Sequence, residues 1–573
     1  MVAATATFEL EERVSYIRSV NAASDADNFK ELQSPTKSPG ELEDGAIVQG
    51  GALDLFSREA FGLFAQYGAI GVIYSLIPSL AYPIFNNYLN MEGYQTSSYG
   101  VLVTVGWSFK VFFGMLSDCF PIFGYRRKSW MLIGWAITAI CLAVMSFASL
   151  GNPYCDARRT DKCSLPLANL TQAEIDAFID LDAPGRGTLF IVMSMLVSFG
   201  YVVADCSADA MVVEYAQREP LAIRGRVQTA IYTVRTLTGV LASLVLSFLL
   251  NGPEYGGSFD WAVGPNVPYV ICLVPCVLVV LSTIFILEEP KGEPLGFKAW
   301  VAQFWDLLQK RIMWQVCAYR FLDATFQGIS ATPGNPIANH WAKVEPLNSS
   351  LSDVVGSLIY TGILVSVGKW GLHWNWRWTI ALGTFGVIAV DGFVTFMTIW
   401  DGYRNQWFFT GVALADNVPG GIRFIISTYF AVEIADIGNE GATYGLVTTV
   451  NNLASPVSAF IYKYIDSYFD VSQKDILRDD THVRWEVTYC YFISYGCKLG
   501  SLLWLFMLPP QKAQMQLLKK RGGKSKVAGV ALIVIFLGAL SFSLTSNIMS
   551  IYPSTKCYRI AGGKGTVNGT CPK

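Results

Sequence analysis

The chain has 573 residues, of which 52% are hydrophobic and 15% charged, with a formal net charge of −2. Soluble domains carry about 25% charged residues, so composition argues against a set of water-soluble domains, and a near-neutral balance offers no field for a nucleic-acid partner. Apolar stretches of roughly 20 residues, enough to cross a hydrocarbon core about 30 Å thick, recur along the sequence.

The first 55 residues lack an apolar core and carry Glu9, Glu11 and Glu12, the pattern of neither a cleaved signal nor a transit peptide. The stretch LQSPTKSPGELEDG within them predicts a disordered cytosolic tail. Its Ser34 and Ser38 precede prolines and are candidate phosphorylation sites, against the plainer reading of a solvated linker.

Thirteen spans follow, at 61–85, 98–117, 129–150, 188–212, 227–250, 267–287, 313–337, 354–372, 377–400, 407–432, 441–465, 486–508 and 527–551. In lipid each backbone polar group must be satisfied within its own segment or by protein, so these read as helices. The predicted class is an all-α polytopic membrane protein. Its divisions are a tail (1–55), a six-helix bundle (56–287), a linker with an interfacial amphipathic helix (288–312) and a second six-helix bundle (313–508). A last segment, 509–573, holds a basic loop, a thirteenth span and an extracytosolic tail.

Basic residues set the orientation. Arg126–Lys128, Arg218, Arg224, Arg226, Lys291, Lys298, Lys310, Arg311 and the run KKRGGKSK at 519–526 share one side, taken as cytosolic together with the N-terminus. The loops after spans 3 and 11 carry several cations as well and are exceptions. The three glycan acceptor sequences, at Asn169, Asn348 and Asn568, then all fall outside. So do Cys155 with Cys163 and Cys557 with Cys571, candidate disulfides in an oxidising compartment and otherwise free thiols.

Between spans 2 and 3 lies GMLSDCFPIFGYRRKSW. Gly114, Asp118, Gly124, Arg126, Arg127 and Lys128 resemble the loop signature of the major facilitator superfamily, with extra residues before the second glycine. An acid there is able to pair with a cation in one conformation and release it in another, a gating latch; a plain positive-inside anchor is the alternative. DCSADAMVVEYAQ, RGRVQTAIYTVRTLTG, ALADNVPGGIRF and IGNEGATYGLVTTVNN extend the likeness over about 61–510 to the folate–biopterin transporter family. The resemblance implies uptake of folates and pterins, with protons as the expected coupling ion. Related members carry other nucleoside-like or amino-acid-bearing solutes such as S-adenosylmethionine.

Ionisable residues inside spans are costly and usually face a bundle interior or a water cavity. Lys110, Asp205, Arg235, Arg320, Asp323, Asp391, Asp416, Arg423 and Lys498 are of this kind and come from both halves. They line a central solute cavity or, alternatively, are structural ion pairs. Asp205 and Asp209, four apart on one face, are candidates for a proton-carrying pair. Asp416 and Arg423 flank Pro419-Gly420-Gly421, which predicts a kinked or unwound helix, and TPGNP at 332–336 predicts a second break.

A folate carries a flat donor-rich ring and a glutamate tail. Lys110, Arg235, Arg320 and Arg423 suit the tail and Asp205 or Asp323 the ring, with Asp416 a further candidate binding residue. Tyr67, Tyr74, Trp107, Tyr232, Tyr319 and Phe326 are candidate stacking surfaces, though aromatics in spans more often pack. The chain has no HExxH, GxSxG or P-loop and three histidines, so neither an enzyme nor an ATP-driven pump is indicated. No cofactor is expected, and the plasma membrane is the favoured location. A receptor or scaffold without transport is the rival class.

Overall fold

The computed structural model describes residues 50–573 except 220–225, 292–295, 371–373, 435–439, 567–570 and 572–573. The expected tail 1–55 and the acceptor Asn568 thus fall largely or wholly outside the described residues. Two compact units are present, one comprising Met1–Leu55 with Val212–Thr229, the other Phe56–Met211 with Ala230–Lys573. In the first, Glu219 accepts the Val227 amide and lies 3.7 Å from Arg226, which donates to the Leu53 carbonyl.

The second unit holds most of the helices. Its helix α1 (Arg58–Ser79) starts on Ser57, whose hydroxyl accepts from the Ala60 amide, and runs on as a π-helical stretch, Ala81–Tyr88. Next come α2 (Gly93–Leu102), a 3-10 segment (Val105–Phe109) and α3 (Lys110–Cys119), bent by 43° at the break. Sequence reading gives span 2 no break. The cause is Gly106, where a Cβ would lie 2.6 Å from the Ser198 carbonyl, while its amide donates to Ser198 Oγ at 3.1 Å. The freed amide is thereby satisfied by a neighbouring helix.

The first half continues with α4 (Lys128–Phe147), α5 (Ala183–Arg218), α6 (Arg226–Leu249) and α7 (Val267–Phe285). Buried Gln66 accepts from Trp135 and donates to Thr283, each at 2.6 Å, tying α1, α4 and α7 together. The linker forms α8 (Phe297–Gln309), which buries Leu307 and Leu308 and exposes Phe297 and Val301.

The second half is α9 (Arg311–Gln327), α10 (Gly334–His340), α11 (Pro346–Trp370), α12 (Trp376–Ile399), α13 (Gln406–Ile434), α14 (Glu440–Asp466), α15 (Gln473–Arg478) and α16 (Thr481–Gly500). Helices α17 (Lys512–Arg521) and α18 (Lys526–Met549) close the order. A helix occupies each of the thirteen expected spans. Among the described residues eight helices are long and apolar enough to cross a membrane, nine if the bent α2–α3 pair is one span. The other four spans fall on α9, α11, α13 and α14.

Of the expected kink or unwinding at Pro419-Gly420-Gly421, unwinding does not occur: α13 is helical through it. Gly383 of α12 faces the proline ring, and Gly421 lets α13 approach Ile363 of α11. These small residues serve close packing, which holds the helix against the lost hydrogen bond. The break at TPGNP does occur, with Gly334 opening α10.

At the end of the unit opposite Asp118 the two halves are bonded together. Glu92 accepts the Gln473 amide at 2.8 Å, and the Gln473 side chain donates to Asn86 and Met91. Glu345 accepts from Asn251 and Ser258, and Tyr82 donates to the Val344 carbonyl. The loop after α4 is closed by Cys155–Cys163 and the C-terminal tail by Cys557–Cys571. Asn169 is exposed, whereas Asn348, expected in an accessible loop, is 3% exposed in the first turn of α11. A glycan on Asn348 has no room in this fold.

Candidate functional site

Four of the predicted charges meet in the first half. Lys110 Nζ, at the start of α3 just past the 3-10 break, lies 3.0 Å from Asp205 Oδ2 and 2.6 Å from Asp209 Oδ2. The helical spacing of the two acids on α5 is what lets one ammonium reach both. Tyr67 of α1 donates to Asp209 at 2.5 Å.

Arg235 of α6 completes the group, 3.8 Å from Asp205 Oδ1. That separation exceeds a hydrogen bond. Its guanidinium instead lies against two rings, 4.7 Å from the centroid of Tyr74 and 5.0 Å from that of Trp107. Lys110 also lies 4.9 Å from the Trp107 ring, whose indole donates to Tyr201 at 2.9 Å. The result is a charge-balanced quartet whose cations each stack on an aromatic face. Asp205 is fully buried, while Lys110 and Arg235 keep 18% and 19% of their side chains exposed.

The second half is sparser. Arg423 of α13 lies 3.5 Å from Asp323 Oδ2 on α9 and donates to Thr384 Oγ1 of α12 at 2.6 Å. Asp323 Oδ1 is buried without a hydrogen bond. Arg320 sits one turn before Asp323, and the side chain of Asp416 lies outside the described residues. Asp391 is apart from this group, accepting from Tyr495 at 2.7 Å. Phe326 packs on Trp504, and Tyr319 is buried in the apolar core of this half. Between the halves, Asn452 of α14 donates to the Trp107 carbonyl at 3.3 Å, so the aromatic residue of the first cluster is also a contact with the second half.

Comparison with solved structures gives the fold. A D-xylose–proton symporter aligns with a TM-score of 0.53 and 13% identity, covering 79% of this chain and 97% of that one. The nucleoside transporter NupG aligns at 0.52 with 13% identity, covering 79% and 100%. At such identity the fold alone is shared, and it is that of the major facilitators. Residues 71–180 match the BT1 family. A "Folate-biopterin transporter" of Synechocystis is 24% identical over 400 residues, covering 66% of this chain and 70% of that protein. A "Folate transporter 1" of Plasmodium falciparum is 29% identical over 99 residues, 17% of this chain and 19% of that one. Both relatives are named as transporters.

The BT1-matched segment contains the basic loop. Asp118 pairs with Arg127 at 2.6 Å and lies 3.7 Å from Arg126. Both cations belong to its own loop. Gly124 has a φ of +83°, which favours glycine, and Gly114 faces open space.

The acid that organises this loop comes from the linker after α7. Glu289 accepts the amides of Arg126, Arg127 and Lys128 at 3.0, 2.9 and 2.7 Å, capping the N-terminus of α4. In return Lys128 donates to the carbonyls of Ile284 and Leu287 at the C-terminus of α7. A second unforeseen residue is Lys463 of α14, fully buried, whose ammonium donates to Ser98, Asn547 and Ser550.

Proposed function

We propose that this chain is a secondary active carrier of folate- or pterin-type solutes, working by alternating access and coupled to protons. The observation that carries this reading is Arg235, set against the neighbouring rings of Tyr74 and Trp107 with its carboxylate neighbour beyond hydrogen-bond distance. A planar cation beside aromatic rings suits a solute that brings both a carboxylate and a flat heterocycle. The names of the two relatives point to the same chemistry.

In this mechanism a solute carboxylate takes Arg235, and Lys110 shifts toward it. Asp205 and Asp209 then share less positive charge, and a proton takes its place. Movement of Trp107 on solute binding breaks its contact with Asn452, linking occupancy to the seam between the halves. Arg423 and Asp323 supply the facing polar group from the second half. Helix α18 is read as a thirteenth span, with the N-terminus cytosolic, the tail after α18 outside, a glycan on Asn169 and the plasma membrane as the location. In proteoliposomes, labelled folate uptake should rise with an inward pH gradient and be competed by pterins. Competition by S-adenosylmethionine alone would assign the other solute class; binding without accumulation would assign a receptor.

A further inference from the structure

We propose that the protein holds an anionic phospholipid at the membrane surface where α8, α9 and α18 meet, with the headgroup on a basic cluster and an acyl chain in the apolar cavity beside it. The inference is independent of which solute is carried.

Backbone pairing builds the cluster. The segment between α17 and α18 docks on the turn from α8 to α9, with Arg311 N donating to Gly523 O and Ser525 N to Gln309 O, both at 2.9 Å. Gly522 and Gly523, at φ +62° and +103°, make the tight path that this docking needs. Lys310 and Lys524 end up as an antiparallel bridge pair. Like charges set directly opposite one another repel, and Arg311, Arg521 and Lys526 stand exposed around them. Asp306 meets Lys524. Four to eight cations immediately beside a span are the footprint of an anionic membrane lipid.

The neighbouring cavity supplies the second half of the recognition. It has a volume of about 170 Å³ and is lined by Phe112, Trp300, Phe304, Leu308, Leu532 and Phe536 among others. Leu308 is two residues from Lys310, and Leu532 lies six beyond Lys526, about 9 Å along the helix. Charge and hydrocarbon surface are therefore contiguous, an arrangement that fits an amphiphile and not a free anion. Helix α8 presents Trp300, Phe304 and Leu308, one turn apart on one face, to this cavity. Gly529 lets α18 approach the ring of Trp305, where a Cβ would lie 3.2 Å away, so the two helices form one wall.

The test uses the full-length protein, delipidated in a neutral detergent. It is titrated separately with phosphatidylglycerol, with phosphatidylcholine of the same chains, and with inorganic phosphate, reading retained lipid by native mass spectrometry and the thermal midpoint. Phosphatidylglycerol should be retained and raise the midpoint, with phosphatidylcholine much weaker and phosphate without effect. Arg311→Gln, Arg521→Gln and Lys526→Gln should each weaken retention roughly fivefold. Leu532→Trp, which fills the slot, should reduce it with the cations intact; Phe536→Trp serves if that variant does not fold. Equal retention of both lipids, the full shift with phosphate alone, or undiminished retention in both slot-filling variants would overturn the proposal.

Discussion

Lys110 Nζ and Asp209 Oδ2 are 2.6 Å apart, and the same ammonium lies 3.0 Å from Asp205. One cation thus serves two carboxylates inside the first half, with Arg235 further off. Removing the shared partner of buried charges costs about 3–5 kcal/mol, because the charges left behind are uncompensated. Lys110→Met is expected to lower the thermal midpoint of the purified protein clearly. Adding Asp205→Asn should restore part of the loss. Additive losses in the double variant would show that the residues do not act as a unit.

Arg235 is expected to act on the solute more than on stability. Its nearest carboxylate oxygen is 3.8 Å away, so Arg235→Gln should leave the thermal midpoint within a few degrees of wild type. The same variant should weaken apparent folate affinity by tenfold or more, about 1.4 kcal/mol. Unchanged affinity would move the carboxylate site to Arg320 or Arg423.

Lys463 joins three elements through neutral oxygens, at 2.8 Å to Ser98, 2.8 Å to Asn547 and 3.0 Å to Ser550. Ser98 belongs to the first half, Lys463 to the second and the other two to α18 and the residue just after it. Lys463→Met should therefore loosen the closed end. A cysteine at Thr96, a position 2% exposed, should be labelled faster by an impermeant maleimide in that background. No change in labelling, with protein yield maintained, would assign Lys463 to packing alone.

Outside the spans, Lys564 lies 2.6 Å from Asp470 and 2.8 Å from Asp475. The hydrogen bond from Lys564 holds the Asp470 carboxyl below the usual range. For Asp475, burial pushes upward, but Lys564 and Ser472 together outweigh it and the net direction is downward. Both acids have folded values below the unfolded value of about 3.9. Their contribution is therefore fully present above that pH and is lost as pH falls through the folded values. Limited proteolysis of the C-terminal tail should be constant from neutral pH to about 4 and accelerate below. Lys564→Gln should be cut faster already at neutral pH.

Helix positions were legible because a run of apolar residues long enough to cross hydrocarbon leaves the backbone little choice but a helix. The charges that cluster were legible where they share a helix face, as Asp205 and Asp209 do. Three kinds of feature were not. Glu289 lies in a polar linker, and only the fold carries it to amides 161 to 163 residues away. Among the described residues Lys463 has neutral acceptors, which are 365, 84 and 87 residues distant. The break in span 2 lies beside Gly106, which approaches Ser198 too closely for a Cβ, and α13 stays helical through Pro419.

The most direct test is uptake of radiolabelled folate by the purified full-length chain in proteoliposomes, with an inward pH gradient imposed or collapsed, for wild type and Asp209→Asn. Gradient-driven accumulation above equilibrium in wild type, with residual uptake insensitive to the gradient in the variant, is the predicted result. Accumulation by Asp209→Asn that still follows the gradient in full, or no transport of folate or any pterin by wild type, would contradict it.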